Sequence, residues 1–273
     1  MVTSELAKHY RDQGFLALSG LFAFDEIAWI RDEAQAVALR AVARGSWPDE
    51  APDGAIYGAD ESDSAFSKLA RHPRILAAAR ELLGDDLYIH QTRLLTWRAP
   101  GRAEGRLTRG FSSWAELDGM KAPEAVTAAI LLEDAAYEPA LSVVAGSHHE
   151  AGLSQGHSQR LIAVAGGIGS VIFFDANLAY VLGQAGDRPH HRLFLVSFNR
   201  LSNVPAKPRS APYTAEDRRA PVAEADDVLW PTPWCATCSA DPGSPGYPGS
   251  PRLTRATRVT VDPRPVWSLG SLA

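Results

Sequence analysis

Two pairs of adjacent histidines are the residues of this chain whose type and spacing most readily suggest metal chemistry. The 273-residue sequence contains eight histidines, among them the pairs His148-His149 and His190-His191. Neutral imidazoles are common ligands for transition metals. The histidine content is therefore compatible with a metal site. Whether one forms depends on which elements position these residues.

A Cys-x-x-Cys pair, Cys235 and Cys238, is the second candidate for metal or redox chemistry. A zinc site needs two further ligands, and the sequence offers none nearby at a suitable spacing. A thioredoxin-like pair begins a helix after a strand, whereas this pair lies between Pro233 and Pro242 in a proline-rich segment. We interpret both cysteines as incidental thiols.

The composition limits the class of protein. Hydrophobic residues make up 45% and charged residues 22%, which excludes a disordered or fibrous chain. The formal net charge is -5, which argues against a nucleic-acid partner. The sequence contains no apolar run of the roughly 18 residues that a membrane span needs. The polar N-terminus lacks a signal-peptide pattern, so we expect a cytoplasmic protein without membrane contact.

Apolar periodicity predicts an N-terminal helical layer followed by a β core. Recurring apolar positions and capping residues predict helices at 4–13, 25–44 and 73–83. Short apolar runs between turn residues predict strands at 15–18, 87–97, 126–132, 141–144, 169–174 and 192–199. Short strands of this kind are typical of an all-β sandwich or barrel. We expect a lid or rim loop at 47–63, a main domain at 1–230 and a loosely docked tail at 231–273.

Four short segments follow one another in a specific order. They are LYIHQTR at 87–93, FSSW at 111–114 with DGM at 118–120, AGSH at 145–148, and IFFDANL at 172–178. With the opening Gly14-Phe15, they resemble the phytanoyl-CoA dioxygenase family, and within it the ectoine hydroxylases. The resemblance implies a mainly β fold with flanking helices, whose core is a double-stranded β-helix (a cupin-like jelly roll). In that family the jelly roll holds iron(II) and 2-oxoglutarate.

The resemblance also implies where the iron ligands should be. The family binds iron with a His-x-Asp pair and a later His, the facial triad of two imidazoles and one carboxylate. At those positions this chain has Thr108, Gly110 and Tyr180. A neutral hydroxyl, a missing side chain and a neutral phenol are poor ligands for ferrous iron, and an inward-facing Arg109 would repel a cation. We therefore expect no metal ligand, no bound iron(II) or 2-oxoglutarate, and no iron-dependent oxygenation.

The polar groups that replace the ligands predict a different catalytic set. Tyr180 would donate or accept a proton, Arg109 would stabilise a developing oxyanion, and His191 would act as a base near neutral pH, with Thr108 beside them. In the family, the strand that holds Gln91 and the segment that holds Trp114 face the substrate, and the cation that pairs with 2-oxoglutarate falls near residues 190–192. The resemblance therefore implies six substrate-binding residues. These are Gln91, Arg93, Trp114, Asn177, His190 and Arg192.

Spacing supports two of the predicted substrate-binding residues, and the other histidines are assigned structural or surface roles. Gln91 and Arg93 are two residues apart on one predicted strand, so they share a face. His148 and His149 fall in the family's Gly-Ser-His turn and are interpreted as turn residues. His9, His72 and His157 are expected at the surface, and His90, on a predicted strand, is interpreted as a hydrogen-bonded structural histidine.

Three functions remain open from the sequence. The first is an enzyme that catalyses the cyclisation or isomerisation of a small metabolite, or an elimination from it, without oxidising it. The second is a non-catalytic protein that binds a small molecule or stabilises an active oxygenase, as a homodimer or heterodimer. The third is an active oxygenase with atypical ligands.

Overall fold

Two antiparallel sheets form the centre of the molecule. The computed structural model describes residues 2–43, 55–59, 64–97, 107–118, 120–134, 140–182, 191–203 and 224. The strands in chain order are β1 (Phe15–Leu18), β2 (Ala55–Tyr57), β3 (Leu87–Trp97), β4 (Ala125–Leu131), β5 (Leu141–Val143), β6 (Ile162–Val164), β7 (Val171–Asp175), β8 (Tyr180–Leu182) and β9 (His191–Arg200). The large sheet has the order β1-β7-β4-β9-β3-β2, and the small sheet has the order β6-β5-β8.

Five α-helices lie among the described residues, and capping residues mark both ends of the first of them. They are α1 (Ser4–Gln13), α2 (Phe24–Ala43), α3 (Ser64–Ala70), α4 (Pro73–Leu83) and α5 (Gly110–Asp118). The Thr3 hydroxyl accepts a hydrogen bond from Leu6 N at the start of α1. Gly14 ends α1 in the left-handed region, with φ 82°. Among the described residues, no helix combines the length and the apolar character needed to cross a membrane.

The large sheet is covered on both faces, which explains why every residue of β4 is buried. Val126, Ala128 and Ile130 belong to the apolar cluster that includes the helices. Ala129 and Leu131, which alternate with them, belong to the cluster that includes the small sheet. Residues of the helices α2, α3 and α4 complete the first cluster, among them Ile27, Ile30, Phe66, Leu69, Ile75 and Leu76.

The predicted β core with an N-terminal helical layer is confirmed. The helices at 4–13 and 73–83 and the strands at 15–18 and 87–97 have the predicted bounds, and the second helix begins and ends one residue early. The prediction missed α3, α5, β6 and β8 (elements of three to nine residues), and β2 lies within the loop predicted at 47–63. The tail at 231–273, with its two cysteines, lies outside the described residues.

Candidate functional site

A β-bulge at His90 sets the direction of the predicted binding residues on β3. The register between β3 and β9 shifts between Ile89 and Gln91, so His90 is the extra residue. Beyond the bulge, Arg93 pairs with Leu195, which belongs to the apolar cluster of the small sheet. Side-chain alternation therefore places Gln91 and Arg93 together on the face toward the small sheet.

Tyr180 faces Arg93 across the space between the two sheets. It is the first residue of β8, and only 3% of its surface is exposed. Its phenol oxygen lies 3.4 Å from Nη2 of Arg93. A guanidinium can only donate, so the phenol oxygen accepts and its own hydrogen points elsewhere. The ring of Tyr180 packs on Phe174, with ring centroids 4.9 Å apart, so the phenol is held in place beside a cation.

The segment before α5 touches Tyr180 through Thr108 and turns Arg109 away. Thr108 and Tyr180 exchange two main-chain hydrogen bonds of 2.9 Å each. The guanidinium of Arg109 instead donates from Nη1 to Glu150 O (3.0 Å) and from Nη2 to Ser147 O (2.8 Å). Both contacts direct its charge at the turn that contains residues 147–150, and the oxyanion role predicted for Arg109 stays a prediction.

Trp114 fills the space next to Gly110. A Cβ atom at Gly110 would lie 3.1 Å from Cη2 and 3.3 Å from Cζ2 of the indole. Trp114 is 4% exposed and packs edge-on against His90, with ring centroids 4.8 Å apart. The indole therefore lies between His90 and Gly110. Its contact with a substrate stays a prediction.

Two predicted substrate-binding residues make contacts that hold the fold together. Nδ2 of Asn177 donates to the main-chain oxygen of His148 (2.9 Å). Arg192 donates to Oε1 of Glu133 (2.7 Å) and to the side chain of Gln35 on α2. These bonds direct both side chains toward neighbouring elements, and a substrate contact by Asn177 or Arg192 stays a prediction.

The second histidine pair stays a prediction. His190 lies outside the described residues. His191 begins β9, where its main chain pairs with Trp97, but its side chain is outside the described part of the structure. Their roles as a base and as a binding group are untested.

His148 and His149 bind the C-terminal end of α1. Their Nε2 atoms lie 2.9 Å and 3.0 Å from the main-chain oxygen of Arg11, and their ring centroids are 3.8 Å apart. A carbonyl can only accept, so both imidazoles donate to it. They satisfy a carbonyl that the end of a helix leaves without an intrahelical partner. This confirms their interpretation as turn residues and adds a structural task that the sequence did not indicate.

Two histidines expected at the surface are buried. His72 is 0% exposed, and its Nδ1 accepts from Arg74 N at the start of α4. His157 is 4% exposed, and its Nδ1 accepts from Ser154 N. Its Nε2 lies 3.0 Å from Oε2 of Glu150. The proline after His72 was a usable signal for a helix start.

Asp175 is a buried acid that the sequence analysis did not single out. Burial raises its pKa from 3.8 to about 6, and the hydrogen bond from Asn177 N and the charge of His149 oppose that rise. The ionised carboxylate is thus disfavoured in the folded protein. The group lies at the end of β7, and its own main-chain N donates to Gly14 O (2.8 Å).

Asp175→Asn is expected to raise the free energy of unfolding at about pH 7.5 by about 2–3 kcal/mol. The folded pKa lies above the unfolded one, so the stabilising contribution of the protonated acid is present at low pH. It is lost as the pH rises through about 6. The asparagine stays neutral, so the difference between the two proteins should vanish below about pH 4. Urea unfolding of both proteins across this range measures it.

The exposed Asp12 is a matched control. The hydrogen bond from Lys8 is the largest cause that lowers its pKa, so Asp12→Asn should not gain stability at high pH. An Asp175→Asn difference that does not change with pH contradicts the assignment.

The described residues do not bring together a facial triad for iron. Among them, no group of three His, Cys, Asp or Glu side chains converges on a common point. Thr108 carries a hydroxyl and Tyr180 a phenol, and the indole of Trp114 lies against Gly110. The assignment of Thr108, Gly110 and Tyr180 to the family's three ligand positions stays a prediction.

Comparison with known proteins identifies similar sequences of known activity. Residues 10–181 match the family described as Phytanoyl-CoA dioxygenase (PhyH). The L-proline trans-4-hydroxylase of Streptomyces griseoviridis is 24% identical over 205 residues, which are 63% of this chain and 76% of that protein. The ectoine dioxygenase of Sphingopyxis alaskensis is 27% identical over 242 residues, which are 76% of this chain and 79% of that protein.

Solved structures share the fold. EctD from S. alaskensis with bound Fe has a TM-score of 0.68 and 23% identity, over 82% of this chain and 87% of that one. The epimerase SnoN from nogalamycin biosynthesis, described as non-heme and alpha ketoglutarate dependent, has a TM-score of 0.60 and 20% identity. That match covers 83% of this chain and 98% of SnoN. The jelly-roll fold implied by the resemblance is confirmed.

These comparisons overturn one prediction from the sequence. We expected neither iron(II) nor 2-oxoglutarate, whereas structures of EctD hold Fe in one case and 2-oxoglutarate with 5-hydroxyectoine in another. The family's cofactors are therefore the expectation for a member of it, and the prediction of none is wrong.

Proposed function

This chain belongs to the phytanoyl-CoA dioxygenase (PhyH) family, and on that premise we propose that it converts a small metabolite by acid–base chemistry without net oxidation. A cyclisation, an isomerisation or an elimination would suit its residues. The observation that carries the proposal is the partly buried contact between Tyr180 and Arg93, with the phenol oxygen 3.4 Å from Nη2. It joins a proton donor to a fixed positive charge in the interior between the two sheets.

The residues around the contact between Tyr180 and Arg93 would bind the metabolite. We propose that Gln91 and Arg93 bind polar groups of the metabolite and that Trp114 packs against its apolar part. Their support is a shared strand face for the first two and a buried indole for the third. Thr108, paired with Tyr180, is proposed to touch the substrate beside it.

The chemistry keeps its atoms and electrons in balance. The Tyr180 hydroxyl gives its proton to the metabolite as one bond forms or breaks there. A proton released from another atom of the metabolite then returns to the phenolate, so no electron enters or leaves. The charge of Arg93 stabilises the negative oxygen between the two transfers.

The proposed loss of oxygenation concerns the net reaction and not the cofactors that the family binds. Iron(II) and 2-oxoglutarate supply oxidising chemistry when they are bound. The neighbour SnoN is described as an epimerase, which supports the idea that this fold hosts net rearrangements. The predicted cytoplasmic location still rests on the sequence.

Mass spectrometry of a metabolite extract tests the proposal. Purified protein is incubated with an extract of the source organism, with iron(II) and 2-oxoglutarate either present or withheld. We expect a product of the same mass as the consumed compound, or lighter by one water. Arg93→Gln, which removes the guanidinium and its charge and leaves a shorter polar side chain, should abolish the product. A product heavier by one oxygen atom contradicts the proposal.

A binding protein without turnover is the second candidate. The observation that favours it is that Arg109, Asn177 and Arg192, all predicted at the site, are fixed in structural contacts. Such a protein would retain a metabolite without forming a product, or would stabilise an active oxygenase as a homodimer or heterodimer. Retention without conversion in the same incubation selects it.

A further inference from the structure

Arg109 is a buried arginine whose guanidinium binds two main-chain oxygens of one turn. Only 4% of its surface is exposed. Nη2 lies 2.8 Å from Ser147 O, and Nη1 lies 3.0 Å from Glu150 O. Taking a guanidinium out of water is costly unless hydrogen bonds compensate. A buried charge that contacts a single turn therefore indicates that the position of this turn matters.

The same turn holds the residue before Tyr180. The hydroxyl of Ser147 accepts a hydrogen bond from Ala179 N at 2.8 Å. On the other side, Tyr180 exchanges two main-chain bonds with Thr108, the residue before Arg109. The contacts therefore form a closed ring, from Thr108 through Arg109, Ser147 and Ala179 to Tyr180.

We propose that Arg109 is a positioning residue for Tyr180, which it fixes against Arg93 through Ser147 and Ala179. This role rests on the proposed function of Tyr180, and it is distinct from the oxyanion role predicted from the sequence. The phenol oxygen is 3.4 Å from Arg93, already long for a hydrogen bond. A small shift of β8 would break that contact. Because the closed set of contacts holds the residues on both sides of Tyr180, it keeps the phenol oxygen within reach of the charge of Arg93.

Two donors are needed for this task. Lysine at position 109 would keep the charge but could reach only one of the two oxygens at a time with good geometry, because its ammonium is a compact point charge. Arg109→Lys should therefore preserve part of the positioning of Tyr180, and Arg109→Gln should preserve little of it.

The test follows the ring of Tyr180 directly. The chain contains seven tyrosines, which are replaced biosynthetically by 3-fluorotyrosine, and the ¹⁹F resonance of Tyr180 is assigned as the one lost in Tyr180→Phe. We expect one Tyr180 resonance in the wild type. In Arg109→Gln it should shift by more than its linewidth or split, and Arg109→Lys should give an intermediate change.

Two further variants separate positioning from general loosening. Ser147→Ala removes the hydroxyl and leaves the carbonyl that Arg109 binds, so it should change the Tyr180 resonance as Arg109→Gln does. Arg160→Gln is the matched control, because Arg160 also donates to this turn, at Glu150 Oε1 (2.8 Å), but is half exposed. It should leave the Tyr180 resonance unchanged.

Each outcome decides the proposal. An unchanged Tyr180 resonance in folded Arg109→Gln overturns it, and so does an equal change in Arg160→Gln. If Arg109→Gln does not fold, Arg109→Lys and Ser147→Ala give the same decision. The measurement uses no substrate, so failure of the acid–base reaction would leave the positioning result standing, and the reverse also holds.

Discussion

Tyr180→Phe is expected to lower turnover of the converted metabolite by about 10²–10⁴-fold while the fold stays intact. The substitution removes only the hydroxyl, whose described contact is the 3.4 Å approach of Arg93. The packing of the ring on Phe174 and the main-chain pairing with Thr108 are available to phenylalanine as well. We expect kcat to fall and KM to change by only a few-fold. Steady-state kinetics and thermal denaturation measure the two effects.

Tyr88→Phe is the matched control for losing a buried phenol hydroxyl. The oxygen of Tyr88 accepts a hydrogen bond from Nδ2 of Asn199 (2.7 Å). Losing that bond should cost about 1 kcal/mol of stability and leave turnover unchanged. Full turnover in Tyr180→Phe, or an equal loss of turnover in both variants, would remove Tyr180 from the reaction.

Gly14→Ala is expected to lower the free energy of unfolding by about 2–5 kcal/mol, from backbone strain and overpacking together. Gly14 has φ 82°, a conformation that costs any other residue energy. A Cβ atom there would lie 2.5 Å from Nδ1 of His148 and 2.6 Å from Cδ1 of Leu178. The new methyl group would push apart α1 and the turn that docks on it. Denaturant unfolding measures the loss.

Gly84→Ala isolates the backbone part of that cost. Gly84 also ends a helix with positive φ (68°), but a Cβ atom there would meet nothing within 4 Å. It should cost about 1–2 kcal/mol. If Gly14→Ala costs no more than Gly84→Ala, the close approach to His148 does not constrain the fold. Adding His148→Ala to Gly14→Ala should recover part of the loss.

Local signals in the sequence were enough for the longest and best capped elements. Helix α4 has a proline at its first position and Gly84 just past its end, and both signals are local. The strands β6 and β8 have three residues each, too few for a two-residue period to be recognised. The helix α5 begins at Gly110, a poor helix former that gave no start signal.

The candidate site was predictable where spacing alone sets direction. Gln91 and Arg93 share a face because they are two residues apart on one strand, and the structure agrees. The direction of Arg109 was not predictable. Its acceptors, the main-chain oxygens of Ser147 and Glu150, are distant in sequence and become neighbours only in the folded chain. Asn177 likewise binds a turn almost thirty residues away. Contacts of this range leave no local pattern.

The measurement that most directly tests acid–base chemistry at Tyr180 is the stoichiometry of the reaction under ¹⁸O₂ with iron(II) and 2-oxoglutarate supplied. Product, succinate and isotope content are determined in the same reaction mixture. The account predicts a product without ¹⁸O, and no succinate formed in proportion to it. One succinate for each product molecule would contradict it, and so would one ¹⁸O atom in each product molecule.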